Sequence, residues 1–431
     1  LEEFPVEVAR VSMWLMEHVM NLKVGKTFGQ VISSIPLQHS ATIVCANALI
    51  IDWKDVVAPE KLNYIMGNPP FCGGKLMSTS QRKDMESVFG KIRLLNSIDY
   101  VTAWYKKSAI YIKGTDIQVS FVSSNSICQG QQASLFWKNI EKDNIKINFA
   151  YTTFKWNNES SGNAAVFCII ICFSIKDNAN KFLFTQNNEK DEITRKKVLK
   201  INNYLIEEEN IFIDKTQNPL CNTKKCYFGN MPNDGGNFLI TEKVRNQMTL
   251  MYPSSEKLIK RYIGAEDFLN GGEKRYCLWL KDVNKEEWIH IEPIRSRVEA
   301  VAKFRQASTA KPTRDKAKTP ELFFFIPESG KQYLLIPRHS SEKRKYIPIG
   351  FLKSDTIASD ANLIVSDASL YDFAILTSAM HMAWMRTVCG RLEMRYRYSA
   401  SIVYNTFPWP TVSEEQKKAV SELADMVLNI R

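Results

Sequence analysis

The stretch LNYIMGNPPFCGGK, Leu62–Lys75, decides the reading of this chain. A short strand-like run ends in Asn68, two prolines and Phe71, and two glycines follow before Lys75. Pro-Pro ends a strand because neither ring nitrogen can donate to a ladder, and Gly-Gly loosens the turn behind it. That explains a strand terminator, but not the amide and the aromatic that flank the prolines. An Asn/Asp-Pro-Pro-aromatic string arises by chance in about one chain of this length in a hundred. At the carboxyl end of a strand, where open α/β sheets place their ligands, Asn68 offers a side-chain carbonyl. Pro69 adds a main-chain carbonyl with no N–H beside it. Two acceptors side by side suit an exocyclic amino group with two protons to donate. Phe71 gives a flat surface on which a planar base can stack.

Strand-like and helix-like segments alternate around this turn. Residues 5–21 carry apolar residues at helical spacing, with Pro5 suited to a first turn. TIVCANALIIDW (42–53) predicts a short strand and a turn, and residues 79–89 and 99–113 read as helices. IQVSFVSSNSI (117–127) is a strand, and ASLFWKNIEKDN (133–144) is a helix. IKINFAYTTF and AAVFCIIICFSI are two strands in succession, the second apolar enough for the centre of a sheet. With no helix between them they predict an antiparallel pair at one side of an α/β sheet covered on both faces. Residues 1–175 thus form one α/β domain. The polar run from 177 to 197 reads as a linker or insertion. Residues 220–365 mix short strands with turns rich in Gly, Pro and Asn, an α+β pattern within a second region spanning 176–365. Residues 366–431 are helical, with one long amphipathic helix over 369–395 and a closing helix.

The 431 residues, 45% apolar and 24% charged, have the composition of a folded water-soluble protein. No apolar run reaches the ~18 residues of a membrane span, so no membrane partner is expected. Nine cysteines without paired CxxC spacing read as reduced thiols in a cytoplasmic protein. Five histidines without HxxxH spacing give no metal site, and His381 and Met380 read as the core face of the C-terminal helix with Phe373, Leu376, Trp384 and Val388. The net charge of +11 points to a polyanionic partner. AKFRQASTAKPTRDKAK (302–318) carries Lys303, Arg305, Lys311, Arg314, Lys316 and Lys318 against the single acid Asp315. Such a run reads equally as a solvated face or as phosphate contacts. Arg338, His339, Ser340, Ser341, Glu342, Lys343, Arg344 and Lys345 lie between two strand-like runs and predict a loop presenting donors, with Glu342 able to accept from cytosine N4.

GNPPF resembles motif IV, [DNS]PP[YFW], of the amino-methyltransferases that use S-adenosylmethionine. QRKDMESVFG, SIDYVTAWYKKSA, VSFVSSNSICQG and TFKWNNES follow it in the order of that family's later motifs. GNMPNDGG, SSEKRKYIPIGF, LTSAMHMAWMRTVCGR and YNTFPWP extend the likeness to the type IIL (MmeI-like) restriction-modification proteins, which methylate N6 of adenine in DNA. The resemblance covers nearly the whole chain. It implies a Rossmann-like methyltransferase sheet, then a target-recognition region and a C-terminal helical segment. It further implies S-adenosylmethionine as cofactor, double-stranded DNA as partner, and base flipping; the oligomeric state stays open, with a monomer expected. Asn68, Pro69 and Pro70 would form the catalytic turn, with Phe71 stacking on the flipped adenine. Phe154 would be the second wall, with Trp156 as the alternate, although core packing is the other reading for both. Asn47 would contact the cofactor adenine, or serve only to form its turn. Arg305, Arg314, Arg338, Ser341, Glu342, Arg344 and Lys345 would face DNA.

Three departures qualify these expectations. The family's glycine-rich motif I would precede Leu1, as would the acid that binds the cofactor ribose; Glu2 and Glu3 align just after that position. The sheet is expected to be N-terminally truncated, with an exposed edge. No PD…(D/E)xK nuclease pattern is present. Methylation of an RNA base or a protein amide, and a catalytically inactive DNA-binding fragment, stay open as other readings of the same residues.

Overall fold

The computed structural model describes residues 3–29, 41–92, 95–156, 166–186 and 192–430. Glu2 and the NNES of TFKWNNES lie outside them. The chain divides between Phe212 and Ile213 into two units, with Gln129–Gln131 grouped with the second.

In the first unit α1 (Glu3–Phe28) is followed by β1 (Tyr64–Gly67), α2 (Thr79–Phe89), α3 (Thr102–Tyr111), β2 (Gln118–Ser124), α4 (Gly130–Glu141), β3 (Lys146–Trp156), β4 (Val166–Ser174), β5 (Lys181–Thr185) and β6 (Thr194–Val198). The six strands form one sheet in the order β1-β2-β4-β3-β5-β6. β1 runs parallel to β2, with Gly67 opposite Phe121. β4 runs antiparallel to both of its neighbours, β2 and β3. Because β4 alone reverses between them, β1, β2 and β3 all point the same way and end at one edge of the sheet.

Alternation explains the central strands. In β2, Val119, Phe121 and Ser123 are buried while the residues between them are half-buried. In β4, Ile169, Ile171 and Phe173 lie on that same inner face. Helices α3 and α4 bring Tyr105, Phe136 and Trp137 against it. The Tyr105 ring stacks on Phe173 at 5.4 Å and meets Phe121 edge-on at 5.3 Å. Each such aromatic removes roughly 150–250 Å² from water, which makes this cluster the main stabiliser of the sheet. The other face is only half-buried at Ile170, Tyr151 and Phe184.

Three expectations need correcting in this unit. Residues 42–46 form no strand; a turn at 47–51 follows directly. The antiparallel pair is not at one side, because β4 lies inside the sheet. The polar run after 175 is no linker throughout: β5 pairs parallel with β3, and β6 pairs with β5, so the first unit continues to Phe212. Its polarity reflects its position. β6 is an outer strand whose Arg195, Lys196 and Lys197 are exposed, charges that discourage edge pairing, and Arg195 stacks over Phe182 at 3.7 Å.

The second unit contains β7 (Cys226–Phe228), β8 (Leu239–Thr241), α5 (Glu242–Met251), β9 (Ile259–Ile263), α6 (Ala265–Asn270), β10 (Arg275–Leu278), α7 (Lys285–Trp288), α8 (Glu292–Gln306) and α9 (Lys311–Asp315). It continues with β11 (Gln332–Pro337), β12 (His339–Ser340), β13 (Gly350–Lys353), β14 (Thr356–Ala358), β15 (Asn362–Ser366), α10 (Leu370–Leu376), α11 (Ala379–Val388), β16 (Gly390–Leu392), β17 (Arg395–Arg397) and α12 (Glu414–Ile430). The strands make three small sheets, β14-β9-β10-β8, β13-β11-β15-β7 and β12-β17-β16.

The expected single helix over 369–395 is instead two helices and a hairpin strand. Ser378 Oγ accepts the His381 N–H at 3.1 Å and caps a new helix, an N-terminal signal placed mid-pattern. The break shifts the apolar face. His381, Met382 and Met385 are buried, whereas Met380 is exposed rather than core. His381 Nε2 lies 2.8 Å from the Tyr398 hydroxyl, and burial pushes its pKa down to about 3. None of the described helices is long and apolar enough to cross a membrane.

Candidate functional site

The turn after β1 is positioned by what surrounds it. Pro69 is buried, Phe71 is half-buried against the core, and Asn68 and Pro70 are exposed. Among the described residues nothing bonds to the Asn68 side chain or to the Pro69 carbonyl, so both acceptors are open. Behind them the chain is fixed. The Cys72 N–H donates to Asp99 Oδ1 at 3.1 Å, and the Cys72 carbonyl accepts from the Tyr100 N–H at 2.9 Å. A Cβ on Gly74 would lie 2.5 Å from the Asn96 carbonyl oxygen, so only glycine fits there.

Asp99 is 4% exposed and joins three segments. Besides Cys72, its Oδ1 accepts the Val101 N–H at 3.1 Å at the start of α3. Its Oδ2 accepts the Ser124 hydroxyl at 3.1 Å at the end of β2. Burial raises its pKa, against the bonds from Val101, Cys72 and Ser124 that lower it.

Phe154 and Trp156 lie at the end of β3, the same edge of the sheet as Asn68. Their ring centroids are 6.2 Å apart; Phe154 is half-buried and Trp156 is 38% exposed. Two strands, β2 and β4, separate them from β1, a spacing of about 14 Å between strand axes. The topology therefore brings both candidate stacking walls to one edge of the sheet.

Asn47 forms a turn. Its Oδ1 accepts the Leu49 N–H at 3.0 Å, and its main-chain carbonyl accepts from Ile50 and Ile51. Its Nδ2 donates to Asp84 Oδ1 at 3.1 Å, and Asp84 also accepts from the Tyr100 hydroxyl at 2.6 Å. One amide proton and one lone pair of Asn47 are left over. Lys107 Nζ donates to the carbonyls of Leu49, at 2.8 Å, and Ile51, which closes the turn from the other side. Sequence reading missed Asp84, Asp99, Tyr100 and Lys107. Asp99 carried only a weak cue, an Asp at the start of the helix-like segment 99–113.

In the second unit a cleft of about 830 Å³ is lined by Arg275, His339, Ser341, Arg344, Asp360 and Arg395, among others. β12 pairs with β17, setting His339 opposite Arg397 and Ser340 opposite Tyr396. Burial, then Arg338, Arg397 and Arg395, hold the His339 pKa below its ordinary value. Arg344 donates to Asn270 Oδ1 at 3.0 Å, Ser341 Oγ accepts the Lys343 N–H at 3.2 Å, Glu342 is half-buried and Lys345 is exposed. Arg338 is half-buried over Phe228 and donates to the Asp360 carbonyl at 2.8 Å. Arg395 and Arg397 were missed, although RYR at alternate positions is a strand-like cue.

The basic run at 302–318 divides. Arg314 is exposed, and its Nη1 bonds to the carbonyls of Ser308 and Thr309 at 2.8 and 2.7 Å. Arg305 is fully buried. Its Nε donates to Asn233 O, its Nη1 to Lys316 O and Thr319 O, and its Nη2 to Pro232 O and Leu322 O, at 2.8–3.2 Å. A guanidinium has five donors, and all are spent on main-chain carbonyls. The expected DNA contact at Arg305 is therefore corrected to an internal clamp.

Among the described residues no group of three or more His, Cys, Asp or Glu could hold a metal ion.

Comparison with known proteins matches residues 1–185 to the family described as "MmeI, DNA-methyltransferase domain" and residues 207–411 to "MmeI, target recognition domain". The chain is 39% identical over 435 residues to DNA methyltransferase A of Bacillus subtilis (strain 168), covering 100% of this chain and 49% of that protein. It superimposes on the type IIL restriction-modification enzyme MmeI, solved in complex with DNA, with a TM-score of 0.87 and 44% identity, covering 100% of this chain and 57% of that one. It thus spans about half the length of these relatives.

Proposed function

The chain belongs to the MmeI family, with its methyltransferase and target-recognition domains in tandem, and from that premise we propose that it methylates N6 of adenine in duplex DNA as part of a restriction-modification system. The carrying observation is the pair of open acceptors, Asn68 Oδ1 and the Pro69 carbonyl, held with Phe71 at the end of β1. An adenine amine is nearly flat, because its lone pair is shared with the ring. Two acceptors that take both protons pull that lone pair out of the ring plane, toward an incoming methyl carbon. With a sulfonium methyl donor bound, the amine so held would attack its methyl carbon, N–C forming as the donor's S–C breaks, and would pass one proton to water. Alignment accounts for most of the rate, and no covalent enzyme intermediate is needed.

S-adenosylmethionine, when bound, supplies an electrophilic methyl group on a sulfonium. The free amide proton and lone pair of Asn47 fit the edge of its adenine, and Asp84 and Lys107 hold that turn rigid. The target adenine must leave the duplex to reach Asn68, with Phe71 as one wall and Phe154 or Trp156 as the other. Reading of the DNA sequence falls to the second unit, where Ser341, Glu342, Arg344 and Lys345 stand beside the arginine-lined cleft. The exposed Arg314 is assigned a phosphate contact, and Arg338 supports the loop through its bond to the Asp360 carbonyl.

Long-read sequencing of host DNA tests this reading. N6-methyladenine is expected at one asymmetric motif, and the mark should vanish when the gene is deleted. A genome without that modification beside an intact reading frame would refute the assignment.

A further inference from the structure

Asp99 lies within the string SIDYVTAWYKKSA but was given no role there, yet its side chain ties three segments together behind the turn. Five residues hydrogen-bond to this one buried residue, with Thr102 donating its N–H and hydroxyl to the Asp99 carbonyl. Its two carboxylate oxygens take the N–H groups of Cys72 and Val101 and the hydroxyl of Ser124, while its own N–H donates to Gln132 Oε1 at 2.9 Å. A carboxylate that is 4% exposed costs stability unless its lone pairs are filled. Two neutral N–H groups and a hydroxyl, with no cation among these partners, make it an expensive way to hold a loop that an apolar side chain could pack. The connection itself gives a reason for that cost. Cys72 directly follows Phe71, Ser124 ends β2, and Val101 opens α3. Asp99 therefore ties the turn Asn68–Phe71 to the two elements that fix the site edge of the sheet. Tyr100 adds a second tie on the other side of Cys72 and runs on through Asp84 to Asn47.

We propose that Asp99 is a positioning residue for methyl transfer: it sets where the Asn68 and Pro69 acceptors and the Phe71 ring stand, without touching substrate. This rests on the adenine-N6 reading above. Loss of the carboxylate frees the Cys72 N–H and lets the turn shift. Displacements of about 1 Å at a reacting centre cost about 10²-fold in rate.

The test uses the full-length protein, with Asp99→Ala and Asp99→Asn beside the parent. Asp99→Ala is expected to lower kcat by about 10²-fold, with KM for DNA and the thermal unfolding midpoint little changed. Hydrogen–deuterium exchange should rise in peptides covering residues 67–76. Asp99→Asn should restore most of the rate and the protection, because its carbonyl oxygen can take the same two N–H groups while the Ser124 hydroxyl turns to accept. A folded Asp99→Ala protein with parental kcat overturns the proposal. So does a rate loss that tracks a lowered unfolding midpoint and a raised KM, which marks a merely structural role. Unchanged exchange at residues 67–76 overturns it whatever the activity. A parent protein that transfers no methyl group to DNA, with exchange behaving as expected, refutes the functional reading and leaves the tether established.

Discussion

Replacing Asn68 by alanine is expected to lower methyl transfer by about 10³-fold, with DNA affinity within about twofold of the parent. The reasoning is geometric. Ala keeps the turn, since Pro69 and Pro70 fix their own φ angles and Cys72 remains tied to Asp99 and Tyr100. It removes one of two acceptors that act only as charge develops on the amine. An interaction made in the transition state alone affects kcat and leaves binding intact. Asn68→Asp should be far milder than Ala, because a carboxylate also accepts. Single-turnover transfer with labelled methyl donor, beside fluorescence anisotropy on the same DNA, separates the two quantities. A variant that keeps most of its rate, or one whose rate falls only through lost DNA affinity, would show that Asn68 does not hold the amine.

Replacing Arg305 by methionine is expected to destabilise the protein by about 4 kcal/mol, near the top of the range for single substitutions. The side chain is fully buried and spends all its donors on five carbonyls. Methionine fills much of the volume but leaves those carbonyls without their charged partner, each worth about 1–3 kcal/mol before water enters and the loops relax. Burial pushes the Arg305 pKa down, yet a guanidinium stays charged at any ordinary pH. Lysine, with a compact charge and no fork, should recover only part of the loss. Chemical denaturation gives the midpoint, and exchange in peptides covering residues 231–234 and 316–322 should rise first. A phosphate contact would behave differently: stability would hold, while DNA affinity and its salt slope would fall. That outcome would return Arg305 to the DNA interface.

Arg305 also shows where the sequence could be read and where it could not. As a sequence, AKFRQASTAKPTRDKAK is a row of equivalent cations. Nothing local distinguishes Arg305, whose burial depends on Pro232 and Asn233, more than 70 residues away. The string GNMPNDGG carried weight only as a resemblance, and the clamp supplies a physical reason for it. Arg305 fastens its Pro232 and Asn233 carbonyls, and a Cβ on Gly229 would run into the Ser359 carbonyl oxygen. Alternation in QVSFVSS and the apolar VFCIIICFS were legible because strand periodicity is local. The insertion of β4 between β2 and β3 was not, since partner choice is a tertiary matter. β6 escaped for a related reason: an outer strand rich in Lys and Arg reads as a loop until its neighbour is known, and the short KFLFT of β5 was hidden by the polar residues on either side of it. The helix break at Thr377–Ser378 was written in the serine cap, but the apolar spacing on either side concealed it. At the site, Asn68 to Phe71 stood out by rarity. Asp99 and Asp84 did not, because one acid before a helix or on its face looks like any other.

The most direct test of adenine-N6 methylation is the product itself. The full-length protein is incubated with methyl-labelled S-adenosylmethionine and duplex DNA, and the DNA is digested to nucleosides for mass spectrometry. Label is expected in N6-methyldeoxyadenosine, with none in methylated cytosines and about 10³-fold less after Asn68→Ala. Label in N4- or C5-methyldeoxycytidine, or label in RNA or protein with the DNA unmarked, would contradict it.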